Sequence, residues 1–180
     1  GDLLGAVSTL YADTGINIPL FTTATQEGTC RGPYCGQMTP QVLIPGTHNS
    51  RDLGGIVAEG GAIRPRTMVR SDAPTKLGAP GRSAVRALGI RSAIDLRNKV
   101  ERDLDPADFE GTGVEIFERP VLGEALSHIK DASLDEIYVH LLSERGDKLT
   151  DVIRLLARPG TLPAIVFCSA GKDRTGLTSM

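Results

Sequence analysis

Residues 164 to 176 read Ala164-Ile165-Val166-Phe167-Cys168-Ser169-Ala170-Gly171-Lys172-Asp173-Arg174-Thr175-Gly176, and this stretch decides the fold. Its first part, entered from Pro163, is a short apolar run carrying the β-formers Ile165, Val166 and Phe167. That is the pattern of a strand covered on both faces, as in parallel sheets flanked by helices. The run delivers Cys168 into a loop in which Gly171 supplies a backbone conformation that other residues resist. A helix is expected to begin at Thr175-Gly176-Leu177. A loop closing onto a helix N-terminus turns successive N–H groups inward, which suits a phosphate dianion and favours a thiolate over a thiol. Five residues separate Cys168 from Arg174, whose planar fork can hold two phosphoryl oxygens together. The spacing therefore points to phosphate-ester cleavage with Cys168 as nucleophile, and the Thr175 hydroxyl is a candidate donor to its sulfur.

At these residues the chain resembles the Cys-x5-Arg protein tyrosine phosphatase superfamily. More narrowly, it is similar to the bacterial and fungal tyrosine phosphatases whose loop reads His-Cys-x-x-Gly-Lys-Asp-Arg-Thr-Gly. The uninterrupted Ala170-Gly171-Lys172-Asp173-Arg174-Thr175-Gly176 carries most of the specificity, since a bare Cys-x5-Arg recurs by chance. Three upstream segments resemble the same family in the same order: Asn49-Ser50-Arg51-Asp52-Leu53-Gly54-Gly55, Ala62 to Asp72, and Asp95-Leu96-Arg97 with Glu101. The resemblance runs from about Gln41 to Gly176 and implies a phosphate monoester hydrolase working through a phosphocysteine. The backbone N–H groups of Ser169, Ala170, Gly171, Lys172 and Asp173, with Arg174, would hold the phosphoryl oxygens. Asp173 is the first choice for the acid that protonates the leaving group and Asp95 the second; neither a metal nor another cofactor is implied. Substrates in scope are a phosphorylated protein, a phosphoinositide or a small phosphate ester, and Lys172 is compatible with several phosphates.

The chain departs from the family at Phe167, which stands where a histidine associated with lowering the cysteine pKa is found. A second reading is therefore a catalytically impaired phosphate-binding protein. Only Thr175 to Met180 follow the arginine, whereas family members continue with several helices, so a fragment with its C-terminal helices truncated is expected.

A chain of 180 residues supports one good core, and we expect an α/β phosphatase domain over 41–180 preceded by a partly ordered extension over 1–40. The net charge of −2 gives no reason to propose nucleic-acid binding. No apolar stretch reaches the ~18 residues an integral membrane helix needs. Cys30 and Cys35 either close a small loop or stay unpaired, while Cys168 must be reduced to act, so the cytoplasm is favoured over secretion. Oligomeric state is left open.

Along the chain, Gln41 to Pro45 is a possible strand, and Gly46 to Gly55 a polar turn held by side-chain to backbone hydrogen bonds, with His48 a turn or surface residue. Met68 and Val69 suggest a strand leading to Arg70-Ser71-Asp72; Arg64, Arg66 and Arg70 are solvated, paired with acids such as Asp72, or able to draw in anions. A helix over Pro80 to Gly89, a strand over Ile90 to Leu96, an acidic connection over Leu104 to Gly113 and a strand over Val114 to Phe117 follow. Asp95, Arg97 and Glu101 can share one ion-pair network. Ser133 and Glu136 form a capping box for a helix with the stripe Leu134, Ile137, Tyr138, Leu141 and Leu142. Asp147 is expected to cap another, striped by Leu149, Val152, Ile153 and Leu156 and stopped by Pro159-Gly160; His128 and His140 fit this scaffold. Alternating strands and helices imply a mainly parallel central sheet flanked by helices.

Overall fold

The computed structural model describes residues 21–22, 42–58, 61–122 and 134–179. Ala164–Phe167 is a strand, β8 in chain order, and all four of its residues are buried. It lies between β5 (Met68–Ser71) and β6 (Ser92–Asp95), parallel to both. β7 (Glu115–Glu118) continues the sheet in parallel beyond β6, and β2 (Arg51–Asp52) runs antiparallel to β5 at the other edge. The order is β2-β5-β8-β6-β7, so the class is α/β with a mainly parallel central sheet. A separate antiparallel ribbon joins β1 (Phe21–Thr22), β4 (Gly61–Ile63) and β3 (Val57–Ala58), in the order β1-β4-β3.

The uninterrupted apolar run of β8 is explained by its two covered faces. Ala164, Val166 and Cys168 point into a core shared with Leu141, Leu149, Val152, Leu155 and Leu156. Ile165 and Phe167 point the other way, into a core with Ile44, Val69, Val85, Ile90 and Phe109. Each of the large side chains contributes roughly 1.5–3 kcal/mol by leaving water, which makes β8 the strand that welds the two cores. Phe167 lies 6.2 Å from the Phe109 ring, centroid to centroid, and under the Arg97 guanidinium at 5.4 Å.

Five helices flank the sheet among the described residues. α1 (Gly78–Ala87) starts two residues before Pro80, from Leu77, and ends where Gly89 takes a φ of +68°. α2 (Lys99–Leu104) lies between the expected strand ending at Leu96 and the expected connection starting at Leu104, in a stretch for which no element is expected. Its signal is nonetheless in the sequence, because Asn98 and Glu101 form a reciprocal capping box with both bonds at 2.9 Å. α3 (Leu134–Glu144) and α4 (Gly146–Leu156) cover the face to which Cys168 belongs. Asp147 does not cap α4: Arg145 holds that position, and Asp147 sits in the first turn. α5 (Asp173–Ser179) begins two residues before Thr175, so Arg174 is helical. Ser133, His128, Cys30 and Cys35 lie outside the described residues. No helix among the described residues is long and apolar enough to cross a membrane.

The possible strand over Gln41 to Pro45 is not formed across 42–45, where the chain turns instead. The Ser50 hydroxyl accepts from Ile44 N–H at 2.8 Å and Thr47 Oγ1 donates to the Ile44 carbonyl at 2.7 Å, which curls the segment and sends Ile44 into the core. Arg66 has a φ of +59° in the turn with Pro65, in the left-handed region.

Candidate active site

Cys168 leaves the carboxyl end of β8 buried, 2% exposed, at the edge of a parallel sheet where α/β proteins bind their ligands. The loop it opens is fixed by its carbonyls. Ala73 N–H donates to the Ser169 carbonyl at 3.2 Å. Asn49 Nδ2 donates to the carbonyls of Ala170 at 3.0 Å and Gly171 at 3.2 Å. Arg70 Nη2 donates to Gly171 at 2.6 Å and Lys172 at 3.3 Å. Four successive carbonyls are thus held outward. In a trans peptide the C=O and the following N–H point in opposite directions, so the N–H groups of Ala170, Gly171, Lys172 and Asp173 turn to the inner side.

The donors that hold the carbonyls are themselves set in place. The Asp72 carboxylate accepts from His48 N–H at 2.9 Å and from Asn49 N–H at 2.8 Å, which aims the Asn49 amide at the loop. Asp72 therefore serves this turn rather than pairing with an arginine. His48 is a turn residue with an exposed ring, its Nδ1 3.3 Å from Asp72. Arg64 and Arg66 are exposed, whereas Arg70 is drawn inward to the loop. Gly171 has a φ of +66°, and a Cβ there would lie 2.5 Å from the Ser71 carbonyl and Asp72 nitrogen. Glycine is required on both counts, conformation and space.

Arg174, in the first turn of α5, is gripped end-on by Glu101, with Nη1 to Oε2 at 2.8 Å and Nη2 to Oε1 at 2.7 Å. The Ser169 hydroxyl donates to Glu101 and accepts from Arg174 Nη2 at 3.2 Å, closing a triangle across the loop. With Nη2 shared between Glu101 and Ser169, the grip leaves Nε–H and one Nη1 N–H for an anion. Burial of the Glu101 carboxyl opposes its ionisation, but hydrogen bonds from Arg174, Ser169 and Asn98 N–H, with the charge of Arg174, outweigh it and draw the pKa down to about 2. A carboxyl depressed on folding stabilises the native state fully above its unfolded pKa near 4.5 and loses that contribution as pH falls toward about 2. Denaturant melts of the chain and of Glu101→Gln should therefore differ most at neutral pH and converge between pH 4.5 and 2. A constant gap across that window would show that the ionised carboxylate contributes nothing.

The remaining expected residues are distributed unequally. Asp173 opens α5 and accepts a bond from the Tyr138 hydroxyl on α3 at 2.6 Å. Lys172 is exposed at the rim. Asp95 is buried with both oxygens held by Arg97, Nε at 2.9 Å to Oδ1 and Nη2 at 2.7 Å to Oδ2, so its carboxylate is committed to that pair. Glu101 is not part of the Asp95–Arg97 pair as one network would require; it turns to Arg174 instead. Thr175 Oγ1 is buried without a hydrogen-bond partner among the described residues, the Cys168 sulfur included. Sequence reasoning missed the loop-holding roles of Asn49 and Arg70 and the contact of Tyr138; only Glu101 had a local signal, its capping box with Asn98.

A loop closed at one end by a buried cysteine and at the other by a gripped arginine, with its carbonyls held outward, defines the class of Cys-x5-Arg phosphate-loop proteins. Residues 42–180 match the tyrosine phosphatase family, and the chain belongs to that family. It is 29% identical to the triple specificity protein phosphatase PtpB of Mycobacterium tuberculosis, over 74% of this chain and 59% of that protein. It is also 29% identical to a tyrosine-protein phosphatase of Nostoc commune, over 64% of this chain and 42% of that one. The chain thus spans about half the length of the curated relatives it matches. Among solved structures, P. aeruginosa TpbA aligns with a TM-score of 0.35 and 16% identity, over 71% of this chain and 65% of that one.

Proposed function

We propose that the chain is the phosphate-monoester-hydrolysing part of a tyrosine phosphatase, with residues 41–180 as its catalytic domain and 1–40 as an extension. The observation that carries this is the set of four outward-held carbonyls from Ser169 to Lys172, which presents N–H groups to a dianion directly beside Cys168. In the proposed reaction the Cys168 thiolate forms an S–P bond as the ester P–O bond breaks, and Asp173 gives its proton to the departing oxygen. Arg174 and the loop N–H groups hold the equatorial oxygens throughout. Water then attacks phosphorus, the S–P bond breaks, and Asp173 takes the proton back. Asp173 is preferred to Asp95 because Arg97 holds both oxygens of Asp95.

The substrate is a phosphorylated protein or a smaller phosphate ester. The exposed Lys172, and the triple specificity in the name of the Mycobacterium relative, support including phosphate esters beyond phosphotyrosine, with phosphoserine, phosphothreonine and phosphoinositides the ones to assay. Phe167, with no exposed surface, supports the second reading, a phosphate-binding protein of low activity, because an aromatic ring fills the place from which a histidine would act. Turnover of an aryl phosphate with inhibition by vanadate separates the two. Vanadate binding without turnover would establish the binding protein, and a panel of phosphopeptides and phosphoinositides would then rank substrates of an active one.

A further inference from the structure

Asp173 is the one carboxylate of the loop, and one of its oxygens is already occupied. Tyr138 Oη donates to Asp173 Oδ1 at 2.6 Å across 35 residues of sequence, while Oδ2 has no hydrogen bond among the described residues. The phenol is a rigid lever. Its helix, α3, is anchored on the sheet by the fully buried Leu141, with Ile137 and Leu142 packed against the same core, and the half-buried Tyr138 extends from that base. A tyrosine side chain has only two rotatable bonds before its ring, so fixing its Cα fixes the reach of its hydroxyl.

We propose that Tyr138 is a positioning residue for the acid. By holding Oδ1 it turns Oδ2 toward the phosphate loop, where a carboxylic acid carrying its proton on Oδ2 still accepts the Tyr138 hydrogen bond on Oδ1. The bond is thus compatible with both protonation states that the reaction requires: Asp173 protonated as the leaving oxygen departs, and ionised when it takes a proton from the attacking water. Tyr138 itself neither gives nor receives a proton in either step. This inference rests on the assignment of Asp173 as the acid.

The test uses two aryl phosphates that differ in their need for an acid. Phenyl phosphate expels a basic phenoxide that must be protonated, whereas 2,4-dinitrophenyl phosphate expels a stable anion. In kcat/KM, which reports the first step, Tyr138→Phe should lose about ten- to hundredfold more on phenyl phosphate than on the dinitrophenyl ester, the scale of a misplaced catalytic group. Phenylalanine keeps the ring, and a thermal melt confirms that the fold is retained. An equal loss on both esters, or no loss on either, would make Tyr138 a strut between helices and overturn the proposal. Asp173→Asn in the same assay tests the underlying assignment. If it too shows no preference between the esters, the acid lies elsewhere; if it shows the preference and Tyr138→Phe does not, only the role of Tyr138 falls.

Discussion

Replacing Cys168 with serine is expected to cut turnover of an aryl phosphate at least about a thousandfold while leaving phosphate or vanadate binding in place. The argument is chemical before it is structural. The mechanism needs an anionic nucleophile, and a thiol supplies one near neutral pH where a hydroxyl does not. Nothing else in the loop changes, because the substitution swaps one small atom at a position only 2% exposed, and the carbonyl-holding bonds come from Asn49, Arg70 and Ala73. Arg174 stays in the grip of Glu101 and remains available to an anion. Parallel measurements of turnover and of anion-induced thermal stabilisation read the two properties separately. Retained full turnover would remove Cys168 from the chemistry; loss of anion binding together with turnover would mean that the loop had collapsed.

The second large effect is expected at Gly171. Alanine there meets two costs at once: the left-handed conformation at φ +66°, about 1–2 kcal/mol for a residue with a Cβ, and a contact at 2.5 Å with the Ser71 and Asp72 backbone. Overpacking of this kind costs about 1–3 kcal/mol when a side chain can yield, and here the opposing atoms are main chain at the end of β5. A loss of about 3 kcal/mol corresponds to a melting temperature lower by about 6–12 °C for a chain of this size. Turnover should fall by more than the loss of folded protein explains, since the loop can relieve the clash only by drawing away from Asp72 and from the Asn49 amide that Asp72 aims. Calorimetry with active-site titration distinguishes this from simple destabilisation. An unchanged melt would show that the loop yields freely at Gly171.

The central strand was legible in the sequence because its evidence is local: a run of buried β-formers needs no partner to be recognised, and β8 falls where the run lies. β5 and β6 were found within a residue or two for the same reason, and β7 within one residue from its β-formers Ile116 and Phe117 although none of its residues is buried. Gln41 to Pro45 misled because its apolar residues resemble a strand, while the side chains that curl it, Thr47 and Ser50, follow it in sequence. α2 was overlooked because six residues carry too little periodicity, although its cap is plainly written. In the candidate site, Cys168, Gly171 and Arg174 could be read from spacing. Asn49, Arg70 and Tyr138 could not, because each reaches the loop from a distant segment and a polar residue in a turn or a helix does not reveal its partner.

The position of β8 in the middle of the sheet, although it is the last strand among the described residues, also governs how the molecule forms. Until β8 has been made, β5 and β6 lack the strand that lies between them. The contacts that shape the loop span 121 residues from Asn49, 101 from Arg70 and 73 from Glu101, so closure entropy is met before any of them forms. Insertion of β8 completes the sheet and assembles the anion cradle in the same event. Folding of the core and maturation of the cradle are therefore expected to be coupled, so that a weakened variant yields fewer competent molecules rather than a population of half-built ones.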